Sequence, residues 1–423
     1  TVSTNLLIIA AFASCIIIFV YPLFLLGTVT PSLVKYTVGS LEESGAIVGR
    51  LGACNTVGSI IGTFLPTFVT IPAVGTSATF LIFSGILFLI GAVYFLSEKK
   101  KLRLLIITLI LFMLCIAFGH SSSFAFWEDE LTYEGESVYN YLQVRDDERQ
   151  TVLSTNVLFG VQSVKMKTDK LTGMYYDYSL AAPVMCAEDE KDILVLGNGT
   201  GTFAGQCMEF FPDSTAEGVE IDKKITYLAR EYFGLSDEVS VTEYDGRAFL
   251  MATDKKYDVI QVDAYQDITI PFQMSGVEFF TLVKEHLKPG GVMTVNMNMH
   301  SDGEESINSY LCDTISSVFD HVYTADVPGN TNRELFACTD GDPSDMLIAG
   351  ISKLNDEELK EMMMNVSSRL EEYEPTDNIL TDDKAPVEVL GIRAIDALIS
   401  DELGYYRNIY KRDGLKGLIS ILS

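Results

Sequence analysis

Acidic residues and glycines recur between residues 192 and 297 at the spacing that a nucleoside-binding site requires. An apolar run that begins at Asp192 breaks into three alternating glycines, and a helical pattern follows them. Glycines at a helix N-terminus let backbone N–H groups approach a ligand closely. A second apolar run ends about twenty residues later, at the offset where a carboxylate holds ribose hydroxyls. The spacing therefore predicts a nucleoside site that contains Gly197, Gly199, Gly201 and Glu220.

Two further strand-like runs also end in acidic residues. The third run ends in Asp245-Gly246, and the fourth ends in Asp263. Because ligands of open α/β sheets bind outside the carboxyl ends of the strands, we expect these residues to share the site of the glycine loop. The competing interpretation is a nicotinamide dehydrogenase, but the glycine spacing is not the G-x-G-x-x-G fingerprint. The turn at Leu287-Lys-Pro-Gly-Gly291 is instead typical of the Rossmann-like sheet of S-adenosylmethionine-dependent enzymes.

Hydrophobic patterning predicts a membrane domain that ends near residue 121. Four apolar stretches, roughly residues 6 to 27, 51 to 70, 77 to 97 and 104 to 119, each have about the length that crosses a bilayer. We predict a transmembrane helical domain over residues 1–121, a linker with a small β-hairpin domain over 122–180, and a Rossmann-like domain with C-terminal helices over 181–423. Since the chain opens with Thr1 directly before a predicted span, we expect upstream helices to be missing.

Later in the chain, Asn355-Asp-Glu-Glu358 predicts a capping box before a helix that runs through Glu372.

Charge is divided between the halves of the chain. Residues 1–103 have a net charge of +3. Because the whole chain has a net charge of −28, the remaining residues have a net charge of −31. Such a field repels nucleic acid and attracts cations. It favours a polycation such as putrescine, although an acidic surface that serves solubility explains the charge equally well. The predicted partners are a small-molecule amine and the lipid bilayer, without nucleic acid, and a homo-oligomer is left open.

The cysteines and histidines show no spacing that is typical of a metal site. The seven cysteines include no CxxC pair, and the four histidines are scattered. The sequence therefore predicts neither a metal site nor a disulfide framework.

Together these residues resemble the spermidine synthase (polyamine aminopropyltransferase) family, and most closely its membrane-fused branch, in which transporter-like helices precede the synthase-like domain. The resemblance covers nearly the whole chain. Besides the glycine loop, the matching segments are Ser137-Val-Tyr139-Asn140-Tyr-Leu-Gln143-Val, Gly160-Val-Gln162-Ser163-Val, Tyr175-Tyr176-Asp177-Tyr178, Val219-Glu220-Ile-Asp222, Asp245-Gly246-Arg-Ala-Phe, Asp263-Ala-Tyr265, Ile270-Pro271-Phe272 and Leu380-Thr-Asp382-Asp383-Lys-Ala-Pro386-Val-Glu388.

The resemblance implies a transfer of the aminopropyl group from decarboxylated S-adenosylmethionine to a diamine, without a metal. By this match Asp263 is the catalytic aspartate, Glu220 holds the ribose, and Asp245 with Gly246 holds the adenine. Asn140 stands where the family has a glutamine near the cofactor. The remaining candidates are substrate-binding residues at or near the amine pocket, namely Tyr176, Asp177, Tyr265 and Asp267.

The chain departs from the family pattern at two acidic positions. Thr200 replaces an acid that grips the aminopropyl ammonium, and Gln266 replaces a second aspartate, with Asp267 one residue further on. A desolvated cation needs a charged or well-hydrogen-bonded partner, so both losses bear on the reaction. Two alternatives therefore stay open. One is a methyltransferase or other transferase that uses ordinary S-adenosylmethionine, which brings its own carboxylate, and the other is a non-catalytic membrane sensor or transporter that binds a nucleoside or polyamine.

The loops between the apolar stretches predict a multi-pass membrane protein and indicate its orientation. One loop is flanked by Lys35 and Arg50, another holds Lys99 to Arg103, and the loop from Ile71 to Thr76 between them is uncharged. The positive-inside rule places the basic loops in the cytoplasm. A fourth span then carries the acidic half to the outer face, whereas a donor of the S-adenosylmethionine type is expected inside the cell.

Overall fold

The computed structural model describes residues 6–97, 102–118, 131–155, 161–264, 270–298, 303 and 305–422. The chain forms two compact units. One comprises residues 10–145 and 154–160, and the other comprises residues 1–9, 146–153 and 161–423. We call them the helical unit and the sheet unit.

The helical unit consists mostly of apolar helices. Its elements are α1 (Leu6–Gly27), α2 (Val29–Thr37), α3 (Leu41–Leu65), a π-helical turn (Pro66–Thr70), α4 (Ile71–Ser97), α5 (Leu102–Phe118), and an antiparallel pair of strands, β1 (Leu131–Glu136) and β2 (Tyr141–Asp146). Two helical stretches, Ala11–Thr37 and Ser44–Ser97, have the length and the composition that cross a membrane, and Leu102–Phe118 is a shorter apolar helix.

A glycine interrupts the longer of these two stretches. Gly75 has φ 80° and ψ 166°, which are not helical values. A straight helix of 54 residues would extend for about 80 Å, more than twice the apolar core of a bilayer. The break divides the stretch into two segments, each with about the length of one crossing. At this break the Glu136 carboxylate of β1 accepts hydrogen bonds from Thr76 N at 2.6 Å and Thr76 Oγ1 at 2.8 Å.

The apolar side chains of these helices are largely exposed. Ile17 and Phe118 expose 80% and 85% of their surface, and similar side chains recur along α1, α3, α4 and α5. Exposed apolar side chains in such number are typical of surfaces that contact lipid or another apolar partner.

The sheet unit contains an eight-stranded sheet in the order β12-β10-β11-β9-β8-β5-β6-β7. Its strands are β5 (Asp192–Leu196), β6 (Thr215–Val219), β7 (Ser240–Thr242), β8 (Tyr257–Val262), β9 (Leu287–Met297), β10 (Val322–Asp326), β11 (Arg333–Cys338) and β12 (Glu371–Glu372). Strands β5 to β9 are parallel, and β9, β11, β10 and β12 pair antiparallel. A separate antiparallel pair, β3 (Gln150–Thr155) with β4 (Ser163–Met166), precedes the sheet.

Helices connect the strands of this sheet and cover both of its faces. They are α6 (Tyr175–Ser179), α7 (Ala181–Met185), α8 (Thr202–Phe210), α9 (Lys223–Tyr232), α10 (Gly246–Ala252), α11 (Val277–His286), α12 (Ile307–Ser316), α13 (Pro343–Ile351), α14 (Glu357–Ser367) and α15 (Val387–Leu422), with a 3-10 turn at Phe272–Met274 and a non-helical Gly414 inside α15. Two buried apolar clusters result. Every residue of β8 is buried, as expected for a central parallel strand. The predicted Rossmann-like α/β fold after a helical N-terminal region is therefore confirmed.

The strand order creates a topological switch point at β5. The chain runs from β5 outward through β6 to β7 and then returns to the other side of β5 as β8. In sheets of this kind the crevice for a ligand lies at the carboxyl ends of the two strands that flank the switch. The crevice here therefore lies where the glycine loop leaves β5 and where Asp263 follows β8.

The helix predicted after residue 355 begins one residue later than expected, because its N-cap is Asp356 and not Asn355, and the helix is also shorter than expected. Asp356 is the N-cap of α14, since its carboxylate accepts a hydrogen bond from Leu359 N at 3.0 Å. The helix ends at Ser367, and Glu371–Glu372 pairs with β10 as an edge strand. Pairing with the sheet edge outweighed the helical propensity of the two glutamates.

Candidate active site

The glycine loop passes close to the end of β8. Gly197, Gly199 and Gly201 all have positive φ values, of 86°, 53° and 81°. A Cβ atom on Gly197 would lie 2.4 Å from the Asp263 carbonyl oxygen, so only glycine fits there. Asp263 N in turn donates to Leu196 O at 2.9 Å. The loop and the predicted catalytic aspartate are thus held against each other by main-chain packing.

Glu220 lies directly beside this loop. Its Oε2 accepts a hydrogen bond from Gly199 N at 2.9 Å, and its Oε1 accepts one from Asp222 N at 2.9 Å. Burial raises the pKa of the carboxyl to about 7, although both backbone N–H groups favour the charged form. A carboxylate has about four acceptor sites, so these contacts leave acceptor capacity for a ribose hydroxyl. The glycine loop and Glu220, two predicted parts of the nucleoside site, are therefore hydrogen-bonded to each other.

Asp245 and Gly246 lie at the start of α10, after β7. Asp245 caps this helix, and its Oδ1 accepts a hydrogen bond from Ala248 N at 2.9 Å. Gly246 packs near the end of β5, because a Cβ atom there would lie 3.6 Å from Leu196 Cβ. Both residues therefore belong to the same sheet edge as the glycine loop, and the capping role explains one oxygen of Asp245.

Asp263 is partly buried and is held by two neutral donors. Tyr175 Oη donates to its Oδ2 at 2.7 Å, and Asn296 Nδ2 donates to its Oδ1 at 2.8 Å. Burial raises the pKa of the carboxyl to about 7, and the two donors act in the opposite direction. A carboxyl group with this pKa exchanges a proton readily at neutral pH.

The tyrosine in contact with Asp263 is Tyr175, the neighbour of the predicted Tyr176. The two rings lie 4.0 Å apart between centroids, and Tyr176 Oη donates to Gln162 O at 2.7 Å. Burial and the nearby Asp263 charge raise the pKa of Tyr175 far above its ordinary value, so it remains a donor. Tyr176 thus lies at the site without bonding to the aspartate.

Asp177 is buried in the first turn of α6. Its carboxylate accepts hydrogen bonds from Thr172 N, Thr172 Oγ1, Gly173 N and Gln206 Nε2, at 2.6 to 3.0 Å. These four donors occupy the acceptor capacity of the carboxylate. The contacts describe a group that fixes a turn and holds it to α8, and its predicted role in substrate binding stays a prediction.

Three other predicted residues cannot be related to this edge of the sheet. Tyr265 and Asp267 lie outside the described residues, as does Gln266. Asn140 belongs to the helical unit, and its role near the cofactor stays a prediction. Among the described residues, no group of three or more His, Cys, Asp or Glu side chains could hold a metal ion.

The sequence interpretation overlooked Tyr175 and Asn296. Asn296 lies near the carboxyl end of β9, and the strand-end rule that identified the acids would have found it if amides had been considered. Tyr175 could not be separated from Tyr176 by sequence, because the choice depends on the orientation of a five-residue helix.

Two positions of the glycine loop carry buried polar atoms, and one of them, Thr200, is a position where the chain departs from the family pattern. Thr200 Oγ1 and both amide atoms of Asn198 have no hydrogen-bond partner within the described part of the chain. Thr200 also lines a cavity of about 160 Å³ beside α8. Polar atoms of this kind are satisfied by water or by a ligand.

Several known proteins are similar to this chain in sequence or in fold. The spermine/spermidine synthase domain matches residues 174–334. A probable polyamine aminopropyl transferase of Bifidobacterium longum is 52% identical over 344 residues, which cover 77% of this chain and 77% of that protein. Polyamine aminopropyltransferase 2 of Pseudomonas aeruginosa is 30% identical over 165 residues, which cover 36% of this chain and 47% of that protein. Among solved structures, a probable spermidine synthase from Corynebacterium glutamicum is 19% identical with a TM-score of 0.44, covering 60% of this chain and 99% of that one.

Proposed function

Because the chain belongs to the spermidine synthase family of polyamine aminopropyltransferases, we propose that it transfers the aminopropyl group of decarboxylated S-adenosylmethionine to a small diamine such as putrescine. The observation that carries this assignment is the placement of Asp263 beside the glycine loop and Glu220. A proton acceptor and a nucleoside-binding edge thereby meet at one switch point.

The reaction is a nucleophilic displacement. The nitrogen lone pair of the acceptor amine attacks the carbon next to the sulfonium, the C–S bond breaks, and neutral methylthioadenosine leaves. The attacking nitrogen becomes positively charged and passes a proton to the Asp263 carboxylate. Tyr175 and Asn296 orient that carboxylate, and its negative charge stabilises the charge that develops on nitrogen.

The donor nucleoside is assigned to the edge formed by β5, β6 and β7. Glu220 accepts hydrogen bonds from the ribose hydroxyls, and the glycine loop leaves room for the sugar. Ile221 and Tyr244 expose 42% and 52% of their surface next to Glu220, where apolar faces can contact a purine ring. Asp245 and Gly246, at the start of α10, lie on the same side and hold the adenine edge. Tyr176, Asp177, Tyr265 and Asp267 are assigned to the amine side of the site, and Asn140 to the cofactor side.

Product analysis tests the assignment directly. The full chain is supplied with decarboxylated S-adenosylmethionine or with ordinary S-adenosylmethionine, each with a panel of diamines and monoamines. We expect an aminopropylated amine and methylthioadenosine from the decarboxylated donor. Methylated product from the ordinary donor would assign a methyltransferase instead, consistent with the neutral Thr200, and binding without turnover of either donor would assign a sensor.

The acid limb of the pH profile should lie near pH 7. Glu220 and Asp263 both have a pKa raised to about 7, and both act in the ionised form. Activity is therefore lost as pH falls through 7 and is fully present above it. We expect kcat/KM, which reports the free enzyme, to fall with a slope approaching two, whereas kcat at saturating donor falls with a slope of one. A profile over about pH 5 to 9 measures both slopes, and a flat profile through pH 7 would contradict the assignment of Asp263 as the proton acceptor.

We also propose that the chain is a multi-pass membrane protein. The apolar, exposed surfaces of α1, α3, α4 and α5 support this proposal, as does the break at Gly75. The contact between Thr76 and Glu136 supports an orientation as well, because it places the end of β1 beside the loop predicted for the uncharged residues 71–76, which form the start of α4. The positive-inside rule assigns that loop to the outer face, opposite the basic loops.

Accessibility of an introduced cysteine decides the orientation. Glu148 lies on the exposed turn between β2 and β3, and no apolar stretch separates this turn from β1 in the sequence. We therefore expect Glu148→Cys to react with a membrane-impermeant maleimide in intact cells. The unsubstituted chain reports labelling of the native cysteines and is the control. Labelling that appears only after lysis would place the sheet unit in the cytoplasm, where a donor of the S-adenosylmethionine type is expected.

A further inference from the structure

Two asparagines form a hydrogen-bonded chain that ends on Asp263. Asn332 Nδ2 donates to Asn296 Oδ1 at 2.8 Å, and Asn296 Nδ2 donates to Asp263 Oδ1 at 2.8 Å. Asn296 is buried near the carboxyl end of β9, and Asn332 ends the turn between β10 and β11. Asn332 is held there through its main chain, since Val327 N donates to its carbonyl oxygen at 3.1 Å.

The direction of this chain is set by the aspartate. An ionised carboxylate only accepts hydrogen bonds, so the Asn296 amide must present its NH₂ group to Asp263. The Asn296 carbonyl oxygen then points the other way and requires a donor, which Asn332 supplies. If Asn296 turned over, its carbonyl oxygen would face the carboxylate and its NH₂ group would face the NH₂ group of Asn332. Both contacts would be repulsive.

We propose that Asn332 is a positioning residue for aminopropyl transfer, because it fixes the orientation in which Asn296 stabilises the ionised form of Asp263. This proposal rests on the proposed function, since it assigns Asp263 as the proton acceptor. Asn332 itself acts through Asn296 and makes no hydrogen bond to Asp263 among those that the structure describes.

The groups around Asp263 that stabilise its ionised form are neutral hydrogen-bond donors. Tyr175 donates to the carboxylate, and Tyr176 packs against Tyr175. Glu334 of β11 is fully buried, and its Oε2 accepts a hydrogen bond from Thr294 Oγ1 at 2.9 Å. Burial, and then the charge of Asp263, raise the pKa of Glu334 far above its ordinary value and favour the neutral form of this carboxyl. The ionised form of Asp263 is therefore stabilised by two hydrogen bonds, those from Tyr175 and Asn296.

Loss of the Asn332 donor has a defined effect on the pH profile. In Asn332→Leu, which keeps the side-chain volume, the Asn296 amide loses the contact that orients it. The ionised form of Asp263 is then less stable, and the pKa of its carboxyl rises. We expect the acid limb of kcat to move to higher pH by up to about one unit, with the plateau above the limb nearly unchanged. Activity at pH 7 falls by up to about fivefold and recovers at higher pH.

The experiment compares four variants of the full chain. Asn332→Leu and Asn296→Leu should both move the limb upward, and the double variant should move it no further than Asn296→Leu, because both act through one hydrogen bond. Asn330→Leu lies in the same turn, outside the chain of amides, and should leave the limb in place. A limb that does not move in Asn332→Leu overturns the proposal. So does a plateau lowered at every pH with an unmoved limb, because that result describes structural damage.

A second measurement separates this proposal from the proposed function. The carboxyl stretching band of Asp263, identified by its loss in Asp263→Asn, is titrated by infrared difference spectroscopy without any substrate. We expect its midpoint to shift upward in Asn332→Leu and to remain in place in Asn330→Leu. If the unsubstituted chain forms no aminopropylated product, the proposed function fails while this titration still reports the effect of Asn332. An unshifted midpoint overturns the role of Asn332 even in an active enzyme.

Discussion

Asp263→Asn lowers kcat for aminopropyl transfer by about 10² to 10⁴, the range expected when a positioned general base is removed. The aspartate is held at a neutral pKa by burial and is oriented by Tyr175 and Asn296. An asparagine cannot accept the proton of the attacking amine. Single-turnover measurements with saturating donor and amine give this loss directly.

The substitution preserves the local hydrogen bonds, so the loss can be attributed to chemistry. The asparagine carbonyl oxygen can accept from Asn296, and its NH₂ group can donate to Tyr175 Oη, which accepts as well as donates. Binding of methylthioadenosine should therefore remain near the level of the unsubstituted chain. The comparison also separates an enzyme from a sensor. An enzyme loses turnover and keeps binding in Asp263→Asn, whereas a sensor shows no turnover with or without the substitution.

A matched control is Asp213→Asn, which makes the same change at an exposed loop before β6. It should leave kcat within about twofold of the unsubstituted chain, as is usual for surface substitutions of this kind. Turnover by Asp263→Asn at a comparable rate would mean that another group accepts the proton, and the mechanism would then be wrong.

The sheet and its ligand edge were predictable from local sequence signals. Each of the apolar runs at residues 192, 215 and 257 has the length and composition of a buried strand, and each ends in glycine or an acid. Such runs specify parallel strands almost independently of tertiary context, because both faces must be covered. The structure confirms the Rossmann-like sheet for this reason.

The hydrogen bonds inside the site were much less predictable. That Glu220 bonds to Gly199 N depends on the twist between β5 and β6, and no pattern within either strand reports it. Tyr175 was preferred over Tyr176 by the packing of α6 on the sheet, and Asn332 reaches Asn296 only because a hairpin brings the start of β11 beside β9. These contacts join residues that are 21 to 88 positions apart. They are properties of the assembled fold.

Glu220→Ala weakens binding of methylthioadenosine by about tenfold to a hundredfold, the loss expected when hydrogen bonds to a charged group are removed. Glu220 has one proposed role and one that the structure shows directly. It is assigned to the ribose hydroxyls, and it also accepts hydrogen bonds from Gly199 N and Asp222 N, which hold the glycine loop in place. Calorimetric titration measures the affinity, and thermal unfolding without ligand reports the cost to the loop.

The pH dependence of binding distinguishes the two functions of Glu220. Because burial raises the pKa of this carboxyl to about 7, the ribose loses a charged acceptor as pH falls below 7. Affinity should therefore decline by up to tenfold per pH unit below 7 in the unsubstituted chain. It should be independent of pH in Glu220→Gln, which does not titrate.

Glu217→Gln is the control, because Glu217 lies on the same strand and bonds to Tyr257 Oη instead of the glycine loop. It should leave both the affinity and its pH dependence unchanged. If Glu220→Ala lowered only the unfolding temperature and left the affinity intact, Glu220 would be a clamp for the loop without contact to the nucleoside. The ribose would then have to be held by another acceptor at this edge, and the strand-end rule that identified Glu220 would have found a structural residue.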